Sequence, residues 1–149
     1  MFWQPIEAAA PSFSVEPIQA PTRNEREIEE TIDRFAREPN GGLLVLPDIS
    51  TTIHRDLIIA LAARHRIPAV YPYRFFANSG GMISYGTEVS DLYRRAAGYI
   101  DRVLRGARPG ELPVQLPVKY ELIINLKTAK ALGITVPPTL RALADEVVE

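Results

Sequence analysis

Seven residues, Gly42-Leu43-Leu44-Val45-Leu46-Pro47-Asp48, constrain this chain more than any others. Four consecutive apolar side chains leave no polar face. The run therefore reads as a strand buried on both sides, in the middle of a sheet that carries helices on each face. Pro47 has no N–H for a ladder and stops the strand. Asp48 then emerges at the carboxyl end, the edge where open α/β sheets bind ligands. It has two readings: a turn or helix-cap carboxylate, or a ligand contact.

Around this stretch the chain alternates strand and helix patterns. Residues 1–12 read as the last turns of a helix, stopped by Pro11. Ser14 to Ala20 alternates in a strand-like way and contains Pro17, which predicts a short edge strand. Asn24 to Glu38 predicts an amphipathic helix with Ile28, Ile32, Phe35 and Ala36 on one face. Asn24 and Glu27 would form a capping box, and Glu30–Arg34 and Asp33–Arg37 would pair on the wet side. The next helix starts at Thr51 or Thr52 and runs to about Arg66, burying Ile53, Leu57, Ile58, Leu61 and Ala62. Strands follow at Ile67–Pro72 and Met82–Gly86, then a long amphipathic helix from Thr87 to Arg105 with Gly106 as its C′ residue. A last strand spans Lys119 to Asn125. Asn125 caps a short helix that Gly133 ends, and Pro137-Pro138 opens a terminal helix that includes Val147. This order predicts an α/β fold, a three-layer, mostly parallel open sheet of the flavodoxin-like kind.

Composition excludes several function classes. Net charge is −1 with no basic block, which argues against bulk nucleic-acid binding. Without cysteine there are no disulfides or thiolate metal sites. No apolar run approaches the roughly 18 residues of a membrane helix, and the first residues lack the basic and apolar regions of a signal peptide, so the chain as given is expected to stay cytoplasmic. Nor does it contain a dinucleotide fingerprint, a P-loop or a nucleophile elbow. His54 and His65 are the only histidines. On one helix they would stand roughly 16 Å apart along the axis, too far to share a metal, and they read as surface or cap residues.

What remains is a ligand-type edge. Asp48, Thr51 and Thr52 stand at one strand exit, and Ser84, Tyr85 and Gly86 at another. Helices beginning near Thr51 and Thr87 would aim backbone N–H groups there and favour a carboxylate. Tyr71, Tyr73, Phe75, Phe76 and Tyr85 form an aromatic cluster suited to a flat or zwitterionic molecule, with at least two of the rings expected in the core.

Several stretches resemble the substrate-binding proteins of ABC transporters of the tryptophan/tyrosine-binding kind. They are GGLLVLPD at 41–48, HRDLIIALAARHRIPAVYPYRFF at 54–76, GGMISYG at 80–86, the run from Asp91 to Pro138 that includes INLKTAKALG, and ADEVVE at 144–149. The resemblance implies a type I periplasmic-binding fold, in which two α/β lobes trap a small solute between them. It matches residues 13–113 to the second lobe and 114–149 to a hinge-crossing segment with C-terminal helices, with 1–12 a helix remnant. The first lobe and the first strand of the second lobe fall outside the match. The resemblance further implies a periplasmic, non-enzymatic protein that binds a solute such as an amino acid, takes no cofactor and serves an ABC permease. Asp48, Thr51, Thr52, Ser84, Tyr85 and Gly86 would face the solute, Gly86 by close backbone approach. A chain limited to one lobe would have weak or lost affinity and would tend to form homo-oligomers over its exposed edges. The alternative is a stand-alone flavodoxin-like interaction module, with Val15–Ala20 paired directly to Leu43–Leu46. A small α/β enzyme has the least support, since no acid, base and nucleophile converge.

Overall fold

Helix ends are fixed by local hydrogen bonds that the sequence advertises. The computed structural model describes residues 2–149, which form two units, one running to Pro68 and the other Ala69–Glu149.

In the first unit, α1 (Trp3–Ala9) leads into a single 3₁₀ turn (Ala10–Phe13). Residues 15–20 form no strand, and Val15 and Ile18 are exposed. The predicted edge strand is thus absent: an alternating pattern becomes a strand only when a neighbour supplies the ladder. Helix α2 (Glu25–Phe35) starts at Asn24, whose side chain accepts the Glu27 N–H at 3.0 Å. The return arm of the box goes to the Arg23 N–H and the Asn24 side-chain amide, each 2.9 Å from Glu27. Ile28 and Ile32 are buried as predicted. The ion pairs differ: Glu30 pairs with Arg26 at 2.7 Å, and Asp33 meets His65 Nε2 at 2.6 Å. Asp33 thus pairs across to a residue 32 positions on rather than along its own helix to Arg37.

Strand β1 is only Leu43–Leu44. None of residues 42–48 is fully buried, and Leu44 is 55% exposed. The expectation of a strand covered on both faces is therefore overturned; apolar side chains record a tendency to be covered, and this unit supplies only part of the cover. Instead of one helix there are two, α3 (Ile49–Ile53) and α4 (Arg55–Arg64), breaking at His54. Ile53 is consequently exposed, while Ile58, Ile59, Leu61 and Ala62 are buried.

In the second unit, β2 (Ala69–Tyr71), β3 (Ile83–Thr87), β4 (Tyr120–Asn125) and β5 (Glu146–Val148) form a sheet in that order. The β2–β3 and β4–β5 pairings are parallel and β3–β4 is antiparallel, so the sheet is mostly parallel, as predicted. The terminal helix is corrected. Helix α8 (Pro138–Ala142) is short, and Val147 sits in β5 opposite Ile124. Val147 and Val148 gain a ladder there that a frayed terminal helix could not give them.

The core of this unit centres on Tyr71, Phe76, Ile123 and Ile124. Tyr71 stacks on Phe76 with ring centroids 5.2 Å apart, and Phe76 on Phe75 at 5.0 Å. Phe76 belongs to α5 (Arg74–Asn78), which lies against the sheet. Burial pushes the Tyr71 phenol well above its usual range. Asn125 ends β4 and caps α7 (Leu126–Ala131), as expected. Its side-chain oxygen accepts the Thr128 N–H at 2.9 Å, and its amide donates to the Ala77 carbonyl at 3.1 Å. Gly133 closes α7 and Gly106 closes α6 (Val89–Leu104), both with positive φ and both paired back to the preceding turn.

Gly98 sits inside α6, and a Cβ built there meets nothing within 4 Å. Gly98→Ala should therefore stabilise the protein by about 0.5–1 kcal/mol through helix propensity alone. Urea denaturation checks this as a higher midpoint at unchanged slope.

Candidate functional site

The sequence-predicted residues fall into two groups, one in each unit. In the first unit Asp48 is the N-cap of α3. Its Oδ1 accepts the Ser50 N–H at 2.7 Å from an extended backbone. Thr51 Oγ1 lies 3.0 Å from the carbonyls of Leu46 and Asp48, and Thr52 Oγ1 donates to the Asp48 carbonyl at 2.8 Å. Of the two readings of Asp48, the cap geometry is met in full. Both threonine protons are spent on backbone, which leaves acceptor lone pairs but no free donor.

In the second unit β3 delivers its three candidates to different places. Ser84 is only 1% exposed, opposite Tyr71 on one side and Ile123 on the other, and its hydroxyl has no partner among the described residues. Tyr85 points to the opposite face and is 58% exposed. At Gly86 a Cβ would lie 1.8 Å from the Pro72 carbonyl oxygen. Gly86 thus permits a close approach, made by the chain's own backbone.

Two features here escaped the sequence. Tyr120 opens β4 two residues before Leu122, the partner of Tyr85, so the two tyrosines meet diagonally. Their rings stack at 6.0 Å and 20°, both about half exposed. This pair is a flat apolar platform with polar tips, at the carboxyl end of β3. On the other face Arg74, from the start of α5, reaches Glu121 of β4 at 3.2 Å and Glu146 of β5. Partial burial pushes the Glu121 carboxyl up, and the Arg74 guanidinium opposes that shift. Two carboxylates share one cation, so this face keeps a negative excess that favours an ammonium group over a carboxylate. Partners 47 and 72 residues apart leave no local signal in sequence.

The neck between β3 and β4 carries a further pair. Lys119 Nζ lies 2.5 Å from Glu88, and Ser90 Oγ donates to the same carboxylate at 2.6 Å. The Lys119 and Ser90 hydrogen bonds hold the Glu88 carboxyl below its usual range, and Glu88 raises the Lys119 ammonium in turn. Among the described residues no three His, Asp or Glu side chains cluster to hold a metal, and no helix is long and apolar enough to cross a membrane.

Residues 6–148 match the family described as ABC transporter substrate binding protein. This chain belongs to that family. A search of the curated proteins found no match. Among solved structures, a conserved domain protein from Vibrio cholerae O1 biovar El Tor aligns with a TM-score of 0.87 at 21% identity, over 97% of this chain and 48% of that one. The ABC domain in complex with L-Trp from Streptococcus pneumonia gives 0.87 at 22% identity, over 97% and 50%. The ligand-free, open structure of CD0873, a substrate binding protein with adhesive properties from Clostridium difficile, gives 0.64 at 16%, over 97% and 48%. This family member therefore shares their α/β fold and spans about half the length of each.

Two outcomes test these local readings. Gly86→Ala should destabilise the protein by about 1–3 kcal/mol, because a backbone carbonyl occupies the added methyl's space; equal urea midpoints for the two proteins would refute the contact. Glu88 is more acidic folded than unfolded, so its stabilisation is present above the unfolded carboxylate range and is lost as pH falls through the folded pKa. The stability gap between wild type and Lys119→Met should be present at pH 7, close at acid pH and narrow in salt.

Proposed function

We propose that this chain binds a small solute non-covalently, as the solute-binding component of an ABC-type importer, and performs no chemistry on it. The observation that carries the reading is the half-exposed Tyr85–Tyr120 stack at the carboxyl end of β3. A planar solute gains apolar contact on such a platform, and the tyrosine hydroxyls at its rim can meet the solute's polar groups. An aromatic amino acid is the first solute to test, since the Streptococcus pneumonia relative is in complex with L-Trp. Asp48, Thr51 and Thr52 are proposed as contacts of the first unit taken by itself; in the second unit Tyr85 is the proposed contact, since Ser84 is buried and Gly86 packs against Pro72. A periplasmic location, a permease partner and self-association belong to the same proposal. The alternative, a stand-alone flavodoxin-like regulatory or interaction module, would be supported by Val15–Ala20 pairing with Leu43–Leu46; residues 15–20 form no strand and do not supply that support.

A thermal-shift titration with the standard amino acids, carried into the millimolar range, tests this. The melting temperature should rise with concentration following RT ln(1 + [L]/Kd), most strongly for L-Trp or L-Tyr. Tyr85→Ala should remove the rise while leaving the ligand-free melt within a few degrees. No shift from any amino acid would sink the proposed solute class.

A further inference from the structure

Strand β5 docks carboxylates beside a carboxylate. It is three residues long, Glu146–Val148, and pairs in parallel with β4 at the edge of the sheet. Its register sets Glu146 beside Ile123, and so on the same face as Glu121, two residues earlier in β4. Arg74 reaches both acids from α5, donating to Glu121 at 3.2 Å and to Glu146. Glu121 is the more enclosed of the two, its side chain 14% exposed against 46% for Glu146. Asp145, just before β5, is held at the same junction: its N–H donates to the Leu122 carbonyl at 2.9 Å, and its carboxylate accepts the Leu122 N–H at 2.8 Å. The charged groups facing Glu121 are therefore Arg74 from α5, Glu88 from the end of β3, and Asp145 and Glu146 from the β5 segment. Lys119, two residues before Glu121 on β4, is engaged by Glu88. Residues 142–149 contain no cation, so every charge that β5 brings to Glu121 is negative. The one cation that Glu121 touches belongs to α5, and β5 takes a share of it.

We propose that Glu121 is a proton-operated latch on the C-terminal strand: a proton on its carboxyl tightens β5 on the sheet, and loss of that proton loosens it. The latch lies on the face of β4 opposite Tyr120 and works without a solute. With Glu121 ionised, seating β5 adds two negative charges beside a half-shielded third and divides the Arg74 guanidinium between two acids. With Glu121 neutral, that repulsion vanishes and Arg74 belongs to Glu146 alone, which ties α5 directly to β5. The coupling is mutual: if seating β5 favours the protonated carboxyl, protonation favours seating β5 by the same free energy. The balance at Glu121 runs the same way. Desolvation pushes its carboxyl up, Arg74 opposes the shift, and Glu88, Asp145 and Glu146 add to it. A carboxyl raised in the folded state gives its full stability below the unfolded carboxylate range and loses it as pH rises through the folded value. This is opposite in sign to Glu88, which is held down by Lys119 and Ser90.

The test is amide hydrogen exchange over Asp145–Val148 in the whole chain, read as protection factors from about pH 8 down to the carboxylate range near pH 4. Wild type is compared with Glu121→Gln, whose amide stands in for the neutral carboxyl. At about pH 8 the variant should protect these amides about threefold or more over wild type, while the amides of β2 stay alike in both. The gap should narrow steadily as pH falls and Glu121 takes up its proton. In a Glu146→Gln background, where Arg74 is no longer shared, Glu121→Gln should open a smaller gap. Lower protection in Glu121→Gln at about pH 8 would make Glu121 an ordinary stabilising partner of Arg74 and overturns the latch. A gap of constant size across the pH range overturns the proton as its trigger, and an undiminished gap in the Glu146→Gln background overturns the shared cation as its cause. If Glu121→Gln does not fold, the carboxyl of Glu121 is titrated in the wild type by NMR. A midpoint above the ordinary glutamate range, with β5 losing protection over the same interval, bears the latch out; a midpoint at or below that range overturns it.

Discussion

One buried amide holds the second unit together. Asn125 is the last residue of β4, and its backbone N–H donates to the Met82 carbonyl. Its side chain donates to the Ala77 carbonyl at the end of α5 and accepts the Thr128 N–H in the first turn of α7. Thr128, one turn on, donates to the Gly80 carbonyl, in the turn that leads into β3. Strand, two helices and a turn thus meet at a side chain that is 6% exposed. The polar group itself is costly to bury, and each of its hydrogen bonds offsets that cost only while the others hold the geometry. The ligand-type edge lies at the opposite end of β4. The Asn125 N–H bond to Met82 closes one end of the β3–β4 ladder in whose register Tyr120 lies diagonal to Tyr85.

Local chemistry was readable in the sequence because it is paid within one turn of chain. Asn24, Asn125, Gly106 and Gly133 mark helix ends in the sequence, and all four do so in the structure. Long-range partnership was not readable. Val15 to Ala20 has the alternation of a strand without a neighbour to ladder with, and Glu146–Val148 has a helical spacing that β4 overrides. The Gly42–Asp48 run shows the same limit in its starkest form. Its residues are apolar enough for a core, yet coverage is a property of surroundings, and Leu44 remains more than half exposed.

The candidate site divides along the same line. Asp48 was open between cap and contact, and the short bond to Ser50 supplies the cap. Tyr85 was singled out, but its partner Tyr120 and the Arg74–Glu121–Glu146 group became visible only through strand register. Family membership rests on 143 matched positions, from 6 to 148, while likeness at 21–22% identity to solved structures carries the fold. Side-chain chemistry at the edge has to be read from this chain's own residues.

The neck at Glu88 and Lys119 has a consequence for how the chain is put together. The Glu88 N–H donates to the Lys119 carbonyl at 3.1 Å, directly continuing the ladder from Thr87 and Tyr120. From the sheet's side, β3 and β4 are therefore a hairpin whose turn happens to be thirty residues long. Closing so long a turn costs only a few tenths of a kcal/mol more than closing one of twenty, because the entropy grows with the logarithm of length. The excursion is modular: its contents could be shortened, exchanged or elaborated by evolution, and the sheet would register little more than a change of loop.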